Sequence, residues 1–112
     1  MSEGYDLVNQ IAGKTALLDR AIKELGKRGQ AYAEAERDYK VALSKKILTE
    51  RDAGMPVTII SDVCRGEKEI ARLRFERDVA EVSYKAAMEA INSYKLQIRI
   101  MDAQLSREWG NG

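Results

Sequence analysis

The sequence predicts an all-α fold, a long antiparallel helical hairpin of the coiled-coil type with a short helix at the turn. Its 112 residues contain a single proline, Pro56. The long stretches on either side carry apolar residues at alternating steps of three and four, which places them on one face of a helix. The composition, 45% hydrophobic and 33% charged with few aromatic residues, suits one helical domain over residues 1–112.

The second stretch predicts a helix over residues 67–108, followed by a tail over residues 109–112. Between Gly66 and Gly110 it contains neither proline nor glycine. Its apolar stripe, called here the seam, is interrupted by one charged residue, Arg77. The seam residues are Ile70, Leu73, Arg77, Ala80, Tyr84, Ala87, Ile91, Tyr94, Ile98, Met101 and Leu105. A helix of roughly 60 Å needs a partner along its whole length.

The first stretch predicts a helix over about residues 5–51. Its seam is Val8, Ile11, Thr15, Leu18, Ile22, Leu25, Gly29, Tyr32, Glu36, Tyr39 and Leu43. Gly26 and Gly29 each cost about 1 kcal/mol in a helix interior. Because the spacing continues in phase beyond both glycines, one helix bent at this point is favoured. Two helices meeting there, in a three-helix arrangement, are the alternative.

Residues 52–66 predict the turn. Gly54 ends the first helix and Pro56 prevents its continuation. The following segment is rich in β-branched residues, but no second strand is available to pair with it. Thr58 as N-cap and Gly66 after the last turn instead frame a short helix over residues 58–64. The alternative is that this segment runs directly into the second long helix.

Pairing the long helices about residue 60 predicts large side chains opposite small ones at three levels. The levels are Tyr32 with Ala86 and Ala87, Tyr84 with Ala33 and Ala35, and Tyr94 with Gly26. Glu36 is expected to pair with Arg77 and so to fix the register. The residues expected to form the seam and core are Leu18, Ile22, Leu25, Tyr32, Tyr39, Leu43, Ile70, Leu73, Tyr84, Ile91, Tyr94, Ile98 and Met101.

Additional apolar positions widen both seams beyond what a two-stranded coil needs. They are Leu17, Ala21, Val41, Val79, Ala86, Ala90 and Ile100. Two hairpins packing into a four-helix bundle would bury them. We therefore expect a homo-oligomer, with a dimer favoured.

No pattern of residues predicts chemistry. There is no histidine, and Cys64 is the single cysteine, so the commonest zinc ligand and general base are both missing. Cys64 is expected to serve as a small apolar packing residue. The sequence predicts no catalytic residue, metal, cofactor or membrane partner. The residues Met1–Asp6 lack the features of a signal peptide, which leads us to expect a cytoplasmic protein.

One basic cluster near the turn is a candidate contact surface. The basic residues there are Arg65, Lys68, Arg72, Arg74 and Arg77. The first four form the basic cluster that could meet a phosphate backbone or an acidic protein. Nineteen basic and eighteen acidic residues leave a net charge of +1, and a dedicated nucleic-acid binder usually carries a surplus of basic residues. Nucleic acid is thus a possible partner but not the favoured one.

The turn and the second long helix contain a distinctive set of motifs: Gly54–Ile60 with Asp62 and Arg65–Gly66, then Tyr84–Ala87, Ala90–Asn92, Leu96–Ile100 and Arg107–Trp109. These motifs resemble a group of small proteins encoded by temperate phages and prophages of Gram-positive bacteria. The resemblance covers roughly residues 30–109 and carries no functional residues over to this chain. It implies a small protein that binds host or phage machinery in the bacterial cytoplasm.

Together these observations predict a non-enzymatic interaction protein that self-associates through its helix seams and binds a protein partner. The alternative is a nucleic-acid accessory factor in phage recombination or replication that uses the basic cluster. Binding to nucleic acid that weakens steeply with added salt would distinguish the nucleic-acid accessory factor from the protein-binding interaction protein.

Overall fold

A computed structural model describes residues 3–110, with the side chain of residue 3 excepted. It consists of α1 (Glu3–Asp52), α2 (Val57–Arg65) and α3 (Lys68–Gly110), and this part of the chain contains no strand. The packing contacts group the chain into a central unit, residues 28–84, and a terminal unit formed by residues 3–27 and 85–110. In each unit α1 packs against α3, so the predicted all-α helical hairpin with a short connecting helix is confirmed.

The ends of the long helices differ from the prediction in the terminal unit. α1 begins at Glu3, and α3 continues through Trp109 and Gly110 instead of ending in a tail at residue 109. A Cβ atom added to Gly4 would collide with the indole of Trp109. The indole of Trp109, in the last turn of α3, therefore lies close to the first turn of α1. Residues 111–112 of the predicted tail lie outside the described part of the chain.

Helix α1 passes through Gly26 and Gly29 without a break, so the alternative of two helices meeting there is wrong. The two glycines have different surroundings. A Cβ atom on Gly26 would meet nothing within 4 Å, whereas one on Gly29 would lie 3.1 Å from Cε1 of Tyr84. Gly29 therefore lets the Tyr84 ring approach the α1 backbone, and packing outweighs the low helix propensity of glycine there.

Alanine at these two positions is expected to give different results. Gly26→Ala should raise the free energy of unfolding by about 0.5–1 kcal/mol, because alanine loses less backbone entropy and its methyl group meets no neighbour. Gly29→Ala should raise the free energy of unfolding by less than this, or lower it, because the added methyl group crowds the Tyr84 ring. Urea denaturation at one fixed protein concentration measures both. Equal stabilisation by the two substitutions would contradict the close approach of the Tyr84 ring.

The turn between α1 and α2 follows the predicted residues. Gly54 has a φ of 95°, which L side chains rarely adopt. The N–H of Met55 donates to the carbonyl of Glu50 at 3.0 Å and so satisfies one of the last carbonyls of α1. Glycine at this position thus ends the first long helix, as the sequence indicates.

The predicted N-cap of the short helix is wrong. α2 begins at Val57 and is capped by Pro56, which makes no side-chain hydrogen bond, so Thr58 lies within the first turn. Proline suits this position because its fixed φ, here −59°, leads into a helix. Gly66 follows α2 with a right-handed φ of −84°. The carboxylate of Glu67 then accepts hydrogen bonds from the N–H groups of Glu69 and Ile70, both at 3.1 Å, and caps α3.

The predicted register about residue 60 is also wrong. In the central unit Tyr84 lies against Tyr32, with ring centroids 6.0 Å apart, whereas the prediction placed Tyr84 opposite Ala33 and Ala35. In the terminal unit Nζ of Lys14 lies 6.0 Å from the Tyr94 ring, where Gly26 was expected. The prediction placed the ends of the long helices level with each other. Instead α2 lies beside the last turns of α1, where Lys46 and Glu50 line a depression together with Val63 and Cys64 of α2. As a result α3 begins level with an earlier part of α1.

Most of the expected seam and core residues are buried or half-buried, and one is not. Ile22 is 52% exposed. In the terminal unit the buried or half-buried positions of α1 include Leu7, Ile11, Lys14 and Leu18. At three places the seam therefore lies one residue before the predicted position, which was Val8, Thr15 or Ile22. The buried or half-buried members are Leu18, Leu25, Tyr32, Tyr39, Leu43, Ile70, Leu73, Tyr84, Ile91, Tyr94, Ile98 and Met101.

Candidate functional site

The central unit contains a basic groove to which all three helices contribute. The groove has a volume of about 550 Å³, and its lining residues are Tyr39, Lys40, Leu43, Asp62, Arg65, Arg74 and Arg77. Four of these seven side chains are cationic and one is a carboxylate. The fold therefore gathers positive charge from four separate places in the sequence into one concave surface.

Arg77 is the most constrained cation of this basic groove. Its guanidinium carbon lies 4.7 Å from the centroid of the Tyr39 ring, an arrangement that favours a cation over an aromatic face. Its Nη2 contacts Asp78 at 2.8 Å and its Nη1 lies 3.9 Å from Glu36, so the predicted Glu36–Arg77 pair is confirmed. The hydrogen bond to Asp78 raises the pKa of Arg77 above its usual value.

The other cations of the groove are held less firmly. Lys40 lies 3.7 Å from Glu36, and Arg65 lies 3.8 Å from the exposed carboxylate of Asp62. Exposed pairs at such distances contribute little free energy. Arg74 forms no ion pair with any residue that the structure describes. Of the three guanidinium groups that line the groove, that of Arg74 is therefore the most available to an external anion.

The structure divides the basic cluster predicted from the sequence. Arg65 and Arg74 line the basic groove, whereas Lys68 and Arg72 do not. Arg72 lies on another face of α3, between Glu69 and Glu76. The hydrogen bond between Arg72 and Glu69 raises the pKa of Arg72 and lowers the pKa of Glu69. Because its charge is matched on both sides, Arg72 is a weaker candidate for binding an anion than Arg74.

A hydrogen bond joins the two long helices beside the groove. The hydroxyl of Tyr32 donates to Oε2 of Glu81 at 2.6 Å. This bond is the main reason why the pKa of Tyr32 rises to about 12, followed by partial burial and by the negative charge of Glu36. Tyr32 thus holds α1 to α3 only while its hydroxyl keeps the proton.

The contribution of Tyr32 to stability is expected to disappear in strong base. Its pKa in the folded chain exceeds the ordinary value of about 10. The hydrogen bond therefore stabilises the fold fully below pH 10 and is lost as pH rises to about 12. Titration by tyrosinate absorbance should show a late step that Tyr32→Phe removes. A late step that persists in the variant, with the lost amplitude falling near pH 10 instead, would contradict the hydrogen bond to Glu81.

A second surface of the central unit is apolar. Phe75, Val79 and Val82 follow one another on α3 and are 68%, 52% and 67% exposed; we call these three residues the α3 face. They surround a shallow depression together with Asp78. Side chains of this size on one helical face, open to solvent, are typical of a surface that contacts another molecule.

Sequence reasoning identified only part of these two surfaces. Arg77 was recognised both as a charged interruption of the seam and as one of the basic residues near the turn, but Lys40 was not connected with it because the two are distant in sequence. Phe75 and Val82 were missed although their spacing with Val79, four and then three residues, is itself helical. A search for a second stripe on the opposite side of α3 would have found the α3 face.

Comparisons with protein-family models, curated proteins and solved structures found no significant match. Within the described residues no helix has a stretch long and apolar enough to cross a membrane. The same residues contain no group of three or more cysteine, aspartate or glutamate side chains placed to hold a metal ion. The candidate functions therefore depend on the basic groove and on the α3 face.

Proposed function

We propose that this chain is a non-enzymatic interaction protein that self-associates, with the α3 face as the contact between two copies. The observation that carries the proposal is the exposure of Phe75, Val79 and Val82 on one side of α3. Burying a side chain of this kind contributes about 1.5–3 kcal/mol. A second copy that covers the α3 face would recover this free energy.

The balance of buried and exposed apolar residues supports the need for a partner. Fifteen large hydrophobic side chains of the described residues are exposed. The apolar core buried in the same residues consists of Leu7, Tyr39, Ile60, Cys64, Ile70 and Ala87. The small core leaves much of the apolar surface available for burial between chains.

The charges next to the α3 face also suit contact with an identical face. Arg72 is matched by Glu69 and Glu76 on its own helix, and the whole chain carries a net charge of +1. Two such faces therefore meet without strong repulsion between like charges. A partner with a strongly charged surface would gain little from the same residues.

Replacing two residues of the α3 face tests this proposal. Phe75→Ser with Val82→Ser is expected to raise the dissociation constant of the dimer more than tenfold, because two large apolar side chains are removed. Val57→Ser is the matched control, since Val57 is 76% exposed but lies on α2. Sedimentation equilibrium measures all three proteins. A double variant that associates as strongly as the unchanged chain would overturn the α3 face as the contact.

A setting among phage or prophage proteins rests on the sequence resemblance alone, whereas a further protein partner also rests on the matched seams and on the lack of a catalytic pattern in the sequence. They form part of the same proposal. A self-associating hairpin would present two copies of each remaining surface, which strengthens weak binding to any repeated or symmetric target.

A further inference from the structure

We propose that the basic groove of the central unit is a binding site for a compact, multiply charged phosphate anion such as a diphosphate or triphosphate group. The site is distinct from the α3 face and does not depend on self-association. The cationic side chains that would contact the anion are Arg74, Arg77, Arg65 and Lys40. Helices α1, α2 and α3 bring them to one groove.

Arginine side chains suit this ligand for a chemical reason. A guanidinium presents its N–H donors in a planar fork, which matches two oxygens of a phosphate group at once. The groove offers three guanidinium groups and one ammonium group against the single lining carboxylate of Asp62. An anion with several oxygens can therefore contact donors from more than one helix.

One of these cations is already in position and one is available. Arg77 is held by Asp78, by Glu36 and by the face of the Tyr39 ring, so little side-chain entropy is lost when a ligand contacts it. Arg74 has no ion pair among the described residues, and a phosphate oxygen would be its first charged partner. One cation held in place beside one without an ion pair is more typical of a binding groove than of a structural ion-pair network.

The carboxylates next to the groove set the expected strength of binding. Glu36 lies near both Lys40 and Arg77, and Asp62 lies 3.8 Å from Arg65. They reduce the local positive charge, so a singly charged anion gains little. A multiply charged anion attracts all four cations together and exchanges only weak, exposed pairs.

The arrangement favours a compact anion over an extended nucleic-acid strand. A strand is followed by a row of cations and stacking aromatic rings. Here the cations converge from three helices, and Tyr39 is buried beneath Arg77. Arg72, which would be needed to continue a row along α3, is matched by Glu69 and Glu76 on another face.

Two arginines of α3 provide a matched test. Calorimetric titration with inorganic pyrophosphate and tripolyphosphate is expected to show saturable binding to the unchanged chain. Arg74→Gln should weaken it about tenfold, because a charge-assisted hydrogen bond is lost. Arg72→Gln removes the same charge two residues away and should leave the affinity within about twofold, because Arg72 lies outside the groove.

Three results would overturn the inference. Pyrophosphate and tripolyphosphate could fail to bind the unchanged chain. Arg74→Gln and Arg72→Gln could weaken binding equally, which would indicate a response to overall charge. A single-stranded oligonucleotide could bind through Arg74 when neither small anion does, which would assign the groove to a nucleic-acid backbone. Phosphorus NMR line widths of the two anions give a second readout, and circular dichroism verifies that both variants are folded.

Discussion

Replacing Ile60 by alanine is expected to lower the free energy of unfolding by about 2–5 kcal/mol. Ile60 is 5% exposed and lies on α2 together with Cys64, the most buried side chain of the described residues. The short helix has no side-chain cap at its first residue, and nine residues are too few to be helical on their own. Packing of Ile60 and Cys64 therefore holds α2 in place.

The control for this substitution lies on the same helix. Val57→Ala removes apolar atoms from a residue that is 76% exposed and should change the free energy of unfolding by less than about 0.5 kcal/mol. Urea denaturation at equal protein concentration compares the two, since the stability of an associating chain depends on concentration. Similar losses from both variants would show that α2 is not held by its buried face.

Tyr39→Ala is expected to cost a comparable amount, about 3–5 kcal/mol. Tyr39 is 5% exposed, and the centroid of its ring lies 4.7 Å from the guanidinium carbon of Arg77. Removing it leaves a cavity beneath Arg77 and takes away the aromatic face that orients the guanidinium. The same substitution should therefore weaken anion binding in the basic groove as well as the fold.

Tyr39→Phe separates the ring from its hydroxyl. Phenylalanine keeps the packing and the face below Arg77, so its stability should lie within about 1 kcal/mol of the unchanged chain. Thermal and urea unfolding measure the difference between the two variants. A loss in Tyr39→Phe as large as in Tyr39→Ala would indicate that the hydroxyl, and not the buried ring, supplies the stabilisation.

The sequence predicts the helices well because their signals are local. The single proline, Gly54 and the three-four spacing mark the two long helices and the connection without reference to the rest of the chain. Gly26 and Gly29 show where local reasoning is weaker. Their intrinsic cost indicates a possible break, but the environment of Gly29, with the Tyr84 ring against it, depends on a residue far away in sequence.

Register is harder to predict because it depends on how α2 packs. The seams repeat with nearly constant spacing, so several alignments of the two long helices place apolar residues together. Contacts such as Tyr32 with Glu81 and Tyr39 with Arg77 select one alignment. The inward position of α1 in the terminal unit was missed for a similar reason, since Leu7 and Val8 are both apolar neighbours in the sequence.

The basic groove shows the same limit for the candidate site. Composition and spacing identified Arg65, Lys68, Arg72 and Arg74 as one cluster because they are close in sequence. On α3 the side chains of Arg72 and Arg74 lie on different faces, since two residues correspond to more than half a helical turn. Which arginines act together therefore depends on the helix geometry and on Glu69 and Glu76, which match Arg72.

Self-association is the central claim, and light-scattering mass across a concentration series tests it most directly. We expect a mass near twice that of the 12.6 kDa chain, falling towards the monomer on dilution or in the Phe75→Ser, Val82→Ser double variant. A mass of one chain at every concentration, from a protein with the expected helical circular dichroism, would contradict the proposal that the α3 face contacts a second copy.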